Sequence, residues 1–490
     1  MSTAASKPLH FRLPDESTVS VRLGEQEQPG EDVVPGEVEA DGTGSLDLDE
    51  GGRAGFLGPV SGAALLRFLQ RVCATDSPAF VSPSKPRSQP SPSSSTLSSL
   101  LQRESFALYL DSYFTHYHRQ YPLLHEPTFR AQLAEVLPRP SPVHWQLLHQ
   151  VVIAIGSFCM PDRHDHTDCL VLLSRANKLI NISLFETSTI TGVQAFLLHA
   201  NLAQKLNRPN LGHVFMGIAL RMAMNLGLHR EPSPHLPLFE QEARRRLFWT
   251  LYCFEMGSIL TFGHDCTLPD VGDGARVRPL TNIPEEALTP NATTLPPHVE
   301  YATIYSSLQQ HSLFHAFAND IIHRASDSPT PGGLLRMDDE VVAWRAGLPS
   351  YFFKPSVPAW FEFARERIQW RLDHLRMVVL RPAFLRVAGL QGEPSADLEA
   401  CWDRCLTSAM STIQSIRTYI EAVPHRTSHE GFYMNRAPLA LSQIGLLTIL
   451  GHNSLPLPGG VRPVDRIAHA ASAHAGVRVA AFRPDGRVAS

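Results

Sequence analysis

The stretch EARRRLFWTLYCFEMG, residues 242–257, decides how this 490-residue chain is interpreted. It places three consecutive arginines, Arg244, Arg245 and Arg246, directly before an apolar and aromatic run. Two explanations compete for the arginines. They contact a polyanion such as nucleic acid, or they form the ion-paired beginning of a helix that is buried further along.

The flanking residues favour the second explanation. Glu240 lies four residues before Arg244, and Glu242 lies four before Arg246, which is the favourable orientation for ion pairs on one helix face. The same glutamates suit the positive end of a helix dipole. An apolar face follows at helical spacing, made of Leu247, Phe248, Leu251 and Phe254. We therefore predict a helix with locally paired arginines and a buried second half.

Composition excludes several classes of protein. Hydrophobic residues make up 43% of the chain and charged residues 18%, which is enough apolar material for a large core and too little charge for a mainly disordered protein. With 43 Lys and Arg against 47 Asp and Glu, the formal net charge is −4. A chain this balanced has no global electrostatic footprint for nucleic acid, so any contact with DNA has to be local.

The cysteines and the termini indicate the compartment. The chain has seven cysteines, an odd number at irregular spacings, which fits reduced thiols in the cytosol or nucleus. Its first residues, MSTAASKPLHFRLPDES, have no apolar core of a secretory signal. No uncharged apolar run reaches membrane-spanning length, so we expect no membrane association.

The sequence divides into five segments. Residues 25–50 hold ten acidic residues and no Lys or Arg, so residues 1–55 are predicted to be a disordered acidic segment. This segment serves either as a solvated linker, the more common case, or as an activation segment that engages a partner. A short helix at 56–75 and a Ser/Pro-rich linker at 76–99 follow. Residues 100–455 are predicted to form one all-α, large multi-helix regulatory domain, and residues 456–490 an irregular C-terminal tail, either mobile or a reading-frame error.

The helical pattern is clearest in two segments before the arginine helix. In VQAFLLHANLAQKLN, Val193, Phe196, Leu197 and Ala200 fall on one face. In GHVFMGIALRMAMNLG, Gly227 stands where a C′ glycine ends a helix. The predicted apolar stripe of that second helix comprises Val214, Ile218, Met222 and Leu226, widened by Phe215 and Ala219.

Several of these motifs together resemble a known family. GHVFMGIALRMAMNLGLHRE, EQEARRRLFWTLYCFEMGSILTFGHDCTLPD and NIPEEALTPNATTLPPHVEYATIYSSLQQ occur in the order found in the fungal-specific transcription factor domain. This is the helical middle homology region of zinc-cluster regulators, and the likeness is greatest to the branch with the yeast galactose activator and the xylanase activators. YFTHYHRQYPLLHEPTF and FLGPVSGAALL extend the resemblance over residues 56–390. It implies an α-helical regulatory domain without catalysis. The signature positions that it implies, all structural, are Gly227, Leu228, His229, Arg244, Arg245, Arg246, Phe248, Trp249, Phe262 and Gly263.

The sequence also departs from the family. Gly263-His264-Asp265 stands where the family usually has Gly-Arg-Pro, and Glu255 where it commonly has Asp. Family members normally begin with six cysteines that hold two zinc ions on a basic DNA-binding module. Here no cysteine precedes Cys73, and residues 1–55 are acidic, the wrong sign for phosphate contact. Zinc is therefore expected only if an N-terminal cluster exists outside this sequence, and no other cofactor is expected.

Other constellations carry weaker signals. His164, His166 and Cys169 in RHDHTDC offer three metal ligands without a fourth, so we predict no metal site. Cys401 and Cys405 are spaced for one helix face and are predicted to be core residues. No nucleophile elbow, zinc-protease motif or phosphate-binding loop occurs, and no catalytic or cofactor-binding residue is predicted.

The sequence thus predicts a nuclear transcriptional regulator, not an enzyme, that controls a metabolic or biosynthetic gene set. Its expected partners are a DNA-bound homologous transcription factor or the transcription machinery, with DNA contacted indirectly, and homo- or heterodimer formation is left open. Two alternatives stand beside this prediction. The chain is a truncated form of a complete zinc-cluster DNA-binding activator, or its helical domain senses a small molecule.

Overall fold

The computed structural model describes residues 103–162, 166–206, 208–262, 268, 277–327, 330–387, 395–423 and 425–434. Within these residues the chain forms thirteen α-helices and no strand, which confirms the all-α prediction. The predicted segments 1–55, 56–75, 76–99 and 456–490 lie outside the described residues. None of the described helices is both long and apolar enough to cross a membrane.

Most of the helices follow one another closely, whereas residues 263–303 separate the helix that ends at Phe262 from the next one. A π-helical segment, Tyr113–Tyr117, follows the first helix, and single 3-10 turns lie at Glu285–Ala287 and Ser350–Phe352. The α-helices are α1 (Arg103–Ser112), α2 (Glu126–Leu133), α3 (Pro142–Phe158), α4 (Thr167–Lys178), α5 (Ser183–Glu186), α6 (Ile190–Lys205), α7 (Pro209–Asn225), α8 (Leu238–Phe262), α9 (Ile304–Asp327), α10 (Pro331–Ala346), α11 (Ala359–Val387), α12 (Ala396–Ala422) and α13 (Ser428–Met434).

The first core lies among α1 to α8. Helix α3 packs against α1, α4 and α6, and α6 packs along α7. Both α3 and α6 are apolar nearly all round, as expected for central helices. The four residues of the predicted face of α6, Val193, Phe196, Leu197 and Ala200, are all fully buried. This prediction is confirmed.

The second core lies among α9 to α12. Helix α11 packs against α9, α10 and α12, and contributes Phe361, Ile368 and Leu375 to the interior. Cys401 and Cys405 of α12 are fully buried there, which confirms that they are core residues. Helix α8 joins the two cores, because its residues from Leu247 to Ile259 pack in the first core and Leu260 packs in the second.

One buried carboxylate holds three helices of the second core together. Asp338 of α10 is fully buried and accepts hydrogen bonds from Arg376 Nε of α11 at 2.6 Å and from Arg404 Nη1 of α12 at 3.1 Å. Burial of a carboxylate costs desolvation energy. Here the hydrogen bonds from two guanidinium groups offset that cost.

Helix α7 ends as predicted but presents a different face. Gly227 has a φ of +67°, its N–H donates to Met224 O, and the next N–H, of Leu228, donates to Ala223 O. These two bonds define a Schellman motif with glycine at C′. The predicted stripe was wrong at its edge. Val214 is 58% exposed and Ile218 is half-buried, because α6 covers the side of α7 that carries Phe215, Met216, Ala219, Leu220 and Ala223.

Candidate functional site

The arginine block lies in the first turns of α8 and is folded into the protein. Arg245 is only 5% exposed. Its Nε donates to Glu231 Oε1 at 3.0 Å, and its Nη1 donates to Glu242 Oε2 at 3.1 Å. Glu231 also accepts from the backbone N–H and the Nε of Arg278, at 2.9 and 2.7 Å. The arginine therefore links the start of α8 to the loops on either side.

Arg246 is buried in a different setting. It is 3% exposed, and its guanidinium lies over the ring of Tyr305, 3.6 Å from the centroid. Its Nε is 3.8 Å from Glu242 Oε1, too far for a hydrogen bond. Neither its Nε nor its Nη2 has a hydrogen-bond partner among the described residues. A buried guanidinium with open donors is costly, so this side chain is the most unusual member of the block.

The ion pairs only partly match the sequence prediction. Helix α8 and its buried second half are confirmed, and Glu242 lies near Arg246 as expected. The shorter contact of Glu242, however, is with Arg245 three residues on. The predicted pair of Glu240 and Arg244 was wrong: the two residues form no ion pair in this described helix, Glu240 is exposed, and Arg244 is half-buried. Glu242 is buried and lies near Arg245 and Arg246, whereas Arg244 is half-buried on another side of the helix.

The network strongly perturbs one carboxylate. Burial acts to raise the pKa of Glu231, but hydrogen bonds from Arg245 and Arg278 outweigh it and lower the pKa to about 2. Glu231 is therefore ionised throughout the physiological range, and the Arg245–Glu231 pair is a permanent charge-assisted contact.

The other predicted signature residues serve packing. Leu228, Phe248 and Trp249 are buried in the first core, and Trp249 Nε1 donates to Arg278 O at 2.9 Å. His229 is half-buried in the turn after Gly227. Phe262 is the last residue of α8, but its side chain and Gly263 lie outside the described residues.

A cavity of about 270 Å³ lies beside the arginine block. Its wall is drawn from four helices and the segments that lead into them, and most lining residues fall in the first two turns of α2, α3, α6 and α8. The lining combines aromatic and aliphatic side chains with several polar and charged ones. The main lining residues are Leu123, His125, Thr128, Phe129, Gln132, Trp145, Leu148, Ile190, Gln194, Phe239, Glu240, Arg244, Arg246 and Leu288.

One histidine on this wall is held neutral. His125 Nδ1 is 2.7 Å from Thr128 Oγ1. Burial lowers the pKa of His125, and the nearby Arg246 lowers it further. A neutral imidazole adds hydrogen-bonding capacity to the cavity wall without adding charge.

A second cluster of buried cations escaped the sequence analysis. Lys205, Arg367 and Arg371 are all buried, and each lies over the ring of Tyr433, at 4.5, 5.3 and 5.7 Å from its centroid. The hydroxyl of Tyr433 is hydrogen-bonded to that of Tyr121. Burial acts to raise the pKa of Tyr433, but Lys205 and the two arginines outweigh it and lower the pKa to about 7.

Local sequence patterns did not indicate this cluster or the cavity. Lys205 ends α6, where a cation is ordinary because it suits the negative end of the helix dipole. Its partners on α11 and α13 are distant in the chain. The cavity is likewise built from separate segments, and of its lining residues the charged Glu240, Arg244 and Arg246 were singled out from the sequence.

Two of the three candidate ligands of the RHDHTDC motif, His166 and Cys169, lie within the described residues. His164 lies outside the described residues, and Cys169 is buried, where burial raises the pKa of its thiol to about 12. His166 packs its ring against Phe158, at 5.0 Å between centroids. In the described part of the chain, no group of three or more His, Cys, Asp or Glu side chains is placed to hold a metal ion.

Comparison with known proteins supports the resemblance. The profile of the fungal specific transcription factor domain matches residues 110–271, which include the arginine block and most of the cavity wall. The lactose regulatory protein LAC9 of Kluyveromyces lactis is 28% identical over 66% of this chain and 36% of its own length. An ABC-transporter-regulating transcription factor of Aspergillus oryzae is 25% identical over 51% and 29% of the two chains. Pyrimidine pathway regulatory protein 1 of Saccharomyces cerevisiae is 28% identical over 42% and 20%.

The matched region is thus only part of these relatives. The chain spans between a fifth and about a third of the length of these three curated proteins. Comparison with solved structures gave no match.

Proposed function

We propose, from the match of residues 110–271 to the fungal specific transcription factor domain, that the protein is a nuclear transcriptional regulator whose helical domain is the regulatory part. The relatives carry the names of regulators of lactose, pyrimidine and ABC-transporter genes. These names support a metabolic or biosynthetic gene set as the target, and they indicate a regulator rather than an enzyme.

The burial of the arginine block is the observation that carries the proposal for this domain. Phosphate contacts come from exposed Lys and Arg side chains, whose charge displaces counterions from the nucleic acid. Arg245 and Arg246 are almost fully buried and face Glu231 and Glu242 instead. The most basic motif of the domain is therefore a structural element, and the domain acts on transcription through protein partners.

Two partners fit this role. A DNA-bound homologous transcription factor would supply sequence recognition, and the acidic segment at residues 25–50 would engage the transcription machinery. A longer form of the protein with a zinc cluster would instead bind DNA directly. A genomic reading frame upstream of Met1 that encodes six spaced cysteines would support this alternative.

A tethering experiment tests the regulatory role. The full chain is fused to an unrelated DNA-binding domain and placed upstream of a reporter gene in fungal cells. We expect the reporter output to rise, and to fall again when residues 25–50 are deleted. Deletion of residues 76–99, a linker of similar length, is the matched control and is expected to leave the output unchanged. An unchanged reporter, with the fusion present in the nucleus, would refute the role as an activator acting through partners.

DNA binding by the full chain separates the remaining alternatives. Fluorescence anisotropy with a labelled duplex is measured at low and at physiological salt, with zinc analysis of the same sample. We expect no salt-dependent binding and no stoichiometric zinc. If binding does occur, Arg244→Gln tests the half-buried member of the block. A reduced salt slope in that variant would overturn the structural assignment of the arginines, since each lost phosphate contact lowers the slope by about one.

Small-molecule sensing is the second candidate function. It is favoured by one observation, the cavity of about 270 Å³ beside the arginine block, which is lined by both apolar and polar side chains.

A further inference from the structure

We propose that Tyr433 is ionised in the folded protein, and that this buried tyrosinate is the counter-ion that fastens α13 to the two cores. The anion serves Lys205 of α6 and the arginines Arg367 and Arg371 of α11. The ionised state concerns the purified chain and does not depend on the proposed role in transcription.

Three buried cations lie together without a carboxylate. Lys205, Arg367 and Arg371 are 3%, 1% and 6% exposed. In the described part of the chain, no Asp or Glu oxygen lies within 4.0 Å of their charged nitrogens. Glu430 of α13 caps its own helix instead, where its Oε2 accepts from the backbone N–H of Thr427 at 2.7 Å. Buried charge is costly unless it is paired, so the cluster requires another anion.

The histidines of the cluster are neutral. Arg367 Nε donates to His311 Nε2 at 2.9 Å, and His311 Nδ1 donates to the carbonyl oxygen of Ser307 at 2.8 Å, so the ring carries one proton. Burial lowers the pKa of His311 well below its ordinary value, and Arg367 lowers it further. Burial and Lys205 do the same to the pKa of His429 on α13. The three positive charges therefore stay uncompensated until an acidic group ionises.

Most acidic groups near the cations keep their protons. Burial raises the pKa of the Cys253 thiol to about 12 and outweighs the lowering by the two arginines. Burial likewise raises the pKa of Cys159 above its ordinary value, although the lysine acts to lower it. It also raises the pKa of Tyr117 well above its ordinary value. The remaining acidic groups beside the cations in the described residues are the phenols of Tyr121 and Tyr433.

Tyr433 is the phenol that is placed to carry the charge. All three cations lie over its ring, and Lys205 Nζ is 3.5 Å from its oxygen. Burial raises the pKa of Tyr121, so Tyr121 keeps its proton and donates it to the same oxygen. Burial acts to raise the pKa of Tyr433 as well, but Lys205 and the arginines outweigh it and lower the pKa to about 7. A phenolate with these donors offsets part of the buried positive charge.

Helix α13 lies where the two cores meet. Its Tyr433 contacts Tyr121 of the first core and Arg367 of α11. The ring of His429 on the same helix packs against Tyr117 at 5.1 Å and against Phe363 of α11 at 5.8 Å between centroids. A helix of seven residues is not stable alone, so its order depends on such contacts. Loss of the phenolate charge is therefore expected to weaken the attachment of α13 to both sides.

Near-ultraviolet absorbance of the full chain at about pH 8.5 tests the charge state, because tyrosinate absorbs at longer wavelength than tyrosine. An ordinary tyrosine is almost wholly protonated at this pH. We expect about one more tyrosinate per chain in wild type than in Tyr433→Phe. Tyr419→Phe is the matched control, since Tyr419 is buried in the same aromatic cluster but donates to Glu430, and is expected to absorb as the wild type does. Equal absorbance of wild type and Tyr433→Phe would overturn the proposal.

Two further variants test the assignment if Tyr433→Phe fails to fold. Tyr121→Phe removes the hydrogen bond to the phenolate, and Lys205→Met removes the nearest cation. Each is expected to raise the midpoint pH of the tyrosinate signal by about one unit or more, because a charge-assisted contact of the ionised form is lost. An unmoved midpoint in both variants would overturn the proposal. Loss of the signal in Tyr121→Phe, with the signal retained in Tyr433→Phe, would assign the charge to the wrong tyrosine.

Hydrogen exchange of the peptide that contains residues 428–434 tests the attachment of α13. Wild type and Tyr433→Phe are compared at about pH 8.5 and again at about pH 6, so that intrinsic exchange rates cancel at each pH. We expect exchange in the variant to be faster by about tenfold or more at the higher pH, and the difference to shrink at the lower pH, where the wild-type phenol is protonated too. The same difference at both pH values would show a purely steric role of the ring and would overturn the fastening by charge.

The outcomes are independent of the proposed function. If the tyrosinate signal is missing, the charge state is wrong while the tethering experiment is unaffected. If the reporter does not respond but the signal is lost in Tyr433→Phe alone, the tyrosinate is supported and the transcriptional role fails.

Discussion

Replacement of Gly227 by alanine measures how much the αL turn after α7 contributes to stability. Gly227 has a φ of +67°, and a Cβ built on it meets no atom within 4 Å. The substitution is therefore free of steric clash and tests backbone conformation alone. The left-handed conformation costs an L-residue about 1 to 2 kcal/mol. The lower entropy of the unfolded alanine chain offsets about 0.4 to 1 kcal/mol of this cost. We expect Gly227→Ala to lower the free energy of unfolding by about 1 kcal/mol.

The same helix supplies the control. Gly217 lies in the middle of α7, is exposed, and its added Cβ also meets no atom within 4 Å. There alanine has the higher helix propensity, so Gly217→Ala is expected to raise the free energy of unfolding by up to about 1 kcal/mol. Both variants replace glycine by alanine, but Gly227→Ala is expected to lower the free energy of unfolding and Gly217→Ala to raise it.

Urea denaturation followed by circular dichroism at 222 nm is the assay, with wild type and both variants at one protein concentration. The free energies of unfolding of the two variants are expected to differ by about 2 kcal/mol, because the two effects have opposite signs and their magnitudes add. Equal stability of Gly227→Ala and wild type, or the same sign for both variants, would refute the assignment of Gly227 as an obligatory C′ residue.

Three further predictions follow from the buried contacts. Glu242→Gln removes the carboxylate that lies between the buried arginines and is expected to lower the free energy of unfolding by about 3 kcal/mol. The control Glu240→Gln, at an exposed position, is expected to change it by less than about 0.5 kcal/mol. Both values are measured by urea denaturation. Gly156→Ala places a Cβ 1.8 Å from the carbonyl oxygen of Tyr109, so soluble yield and melting temperature are expected to fall sharply. The pKa of Tyr433 is lowered in the fold, so its contribution to stability is present above pH 10 and is lost as the pH falls through about 7. Lys205→Met removes the nearest cation, and the rise in stability from pH 7 to 10 is expected to be smaller in this variant than in wild type when both are titrated with urea.

The fold class was predictable because it rests on local patterns. The turn at Gly227 and the apolar half of α8 are encoded within a few residues, where backbone sterics and helical spacing decide the outcome. The face of α7 was missed at Val214 for the opposite reason. Which side of a helix is covered depends on where α6 crosses it, and spacing alone distinguishes neighbouring stripes poorly.

The candidate site was predictable only in part. The arginine block was recognised as structural because its glutamate partners lie on the same helix. The exact ion pairs were not predicted, because Glu231 lies in the loop before α8 and accepts a hydrogen bond from Arg245. The cavity and the cluster of cations around Tyr433 could not be predicted, because their residues are far apart in the sequence and come together only when the helices pack.

The length of α8 has a mechanical consequence. Its 25 residues extend about 37 Å at 1.5 Å per residue, from the cavity wall to the second core at Leu260. As a stiff rod held at one end, it converts a tilt of about 3° at the arginine end into a displacement of about 2 Å at the other. A close-packed core does not absorb such a displacement by gradual deformation. A displacement of the arginine end of α8 would therefore reach the helices that follow it by two routes, through Leu260 at its far end and through Arg246, whose guanidinium lies over the ring of Tyr305 in α9.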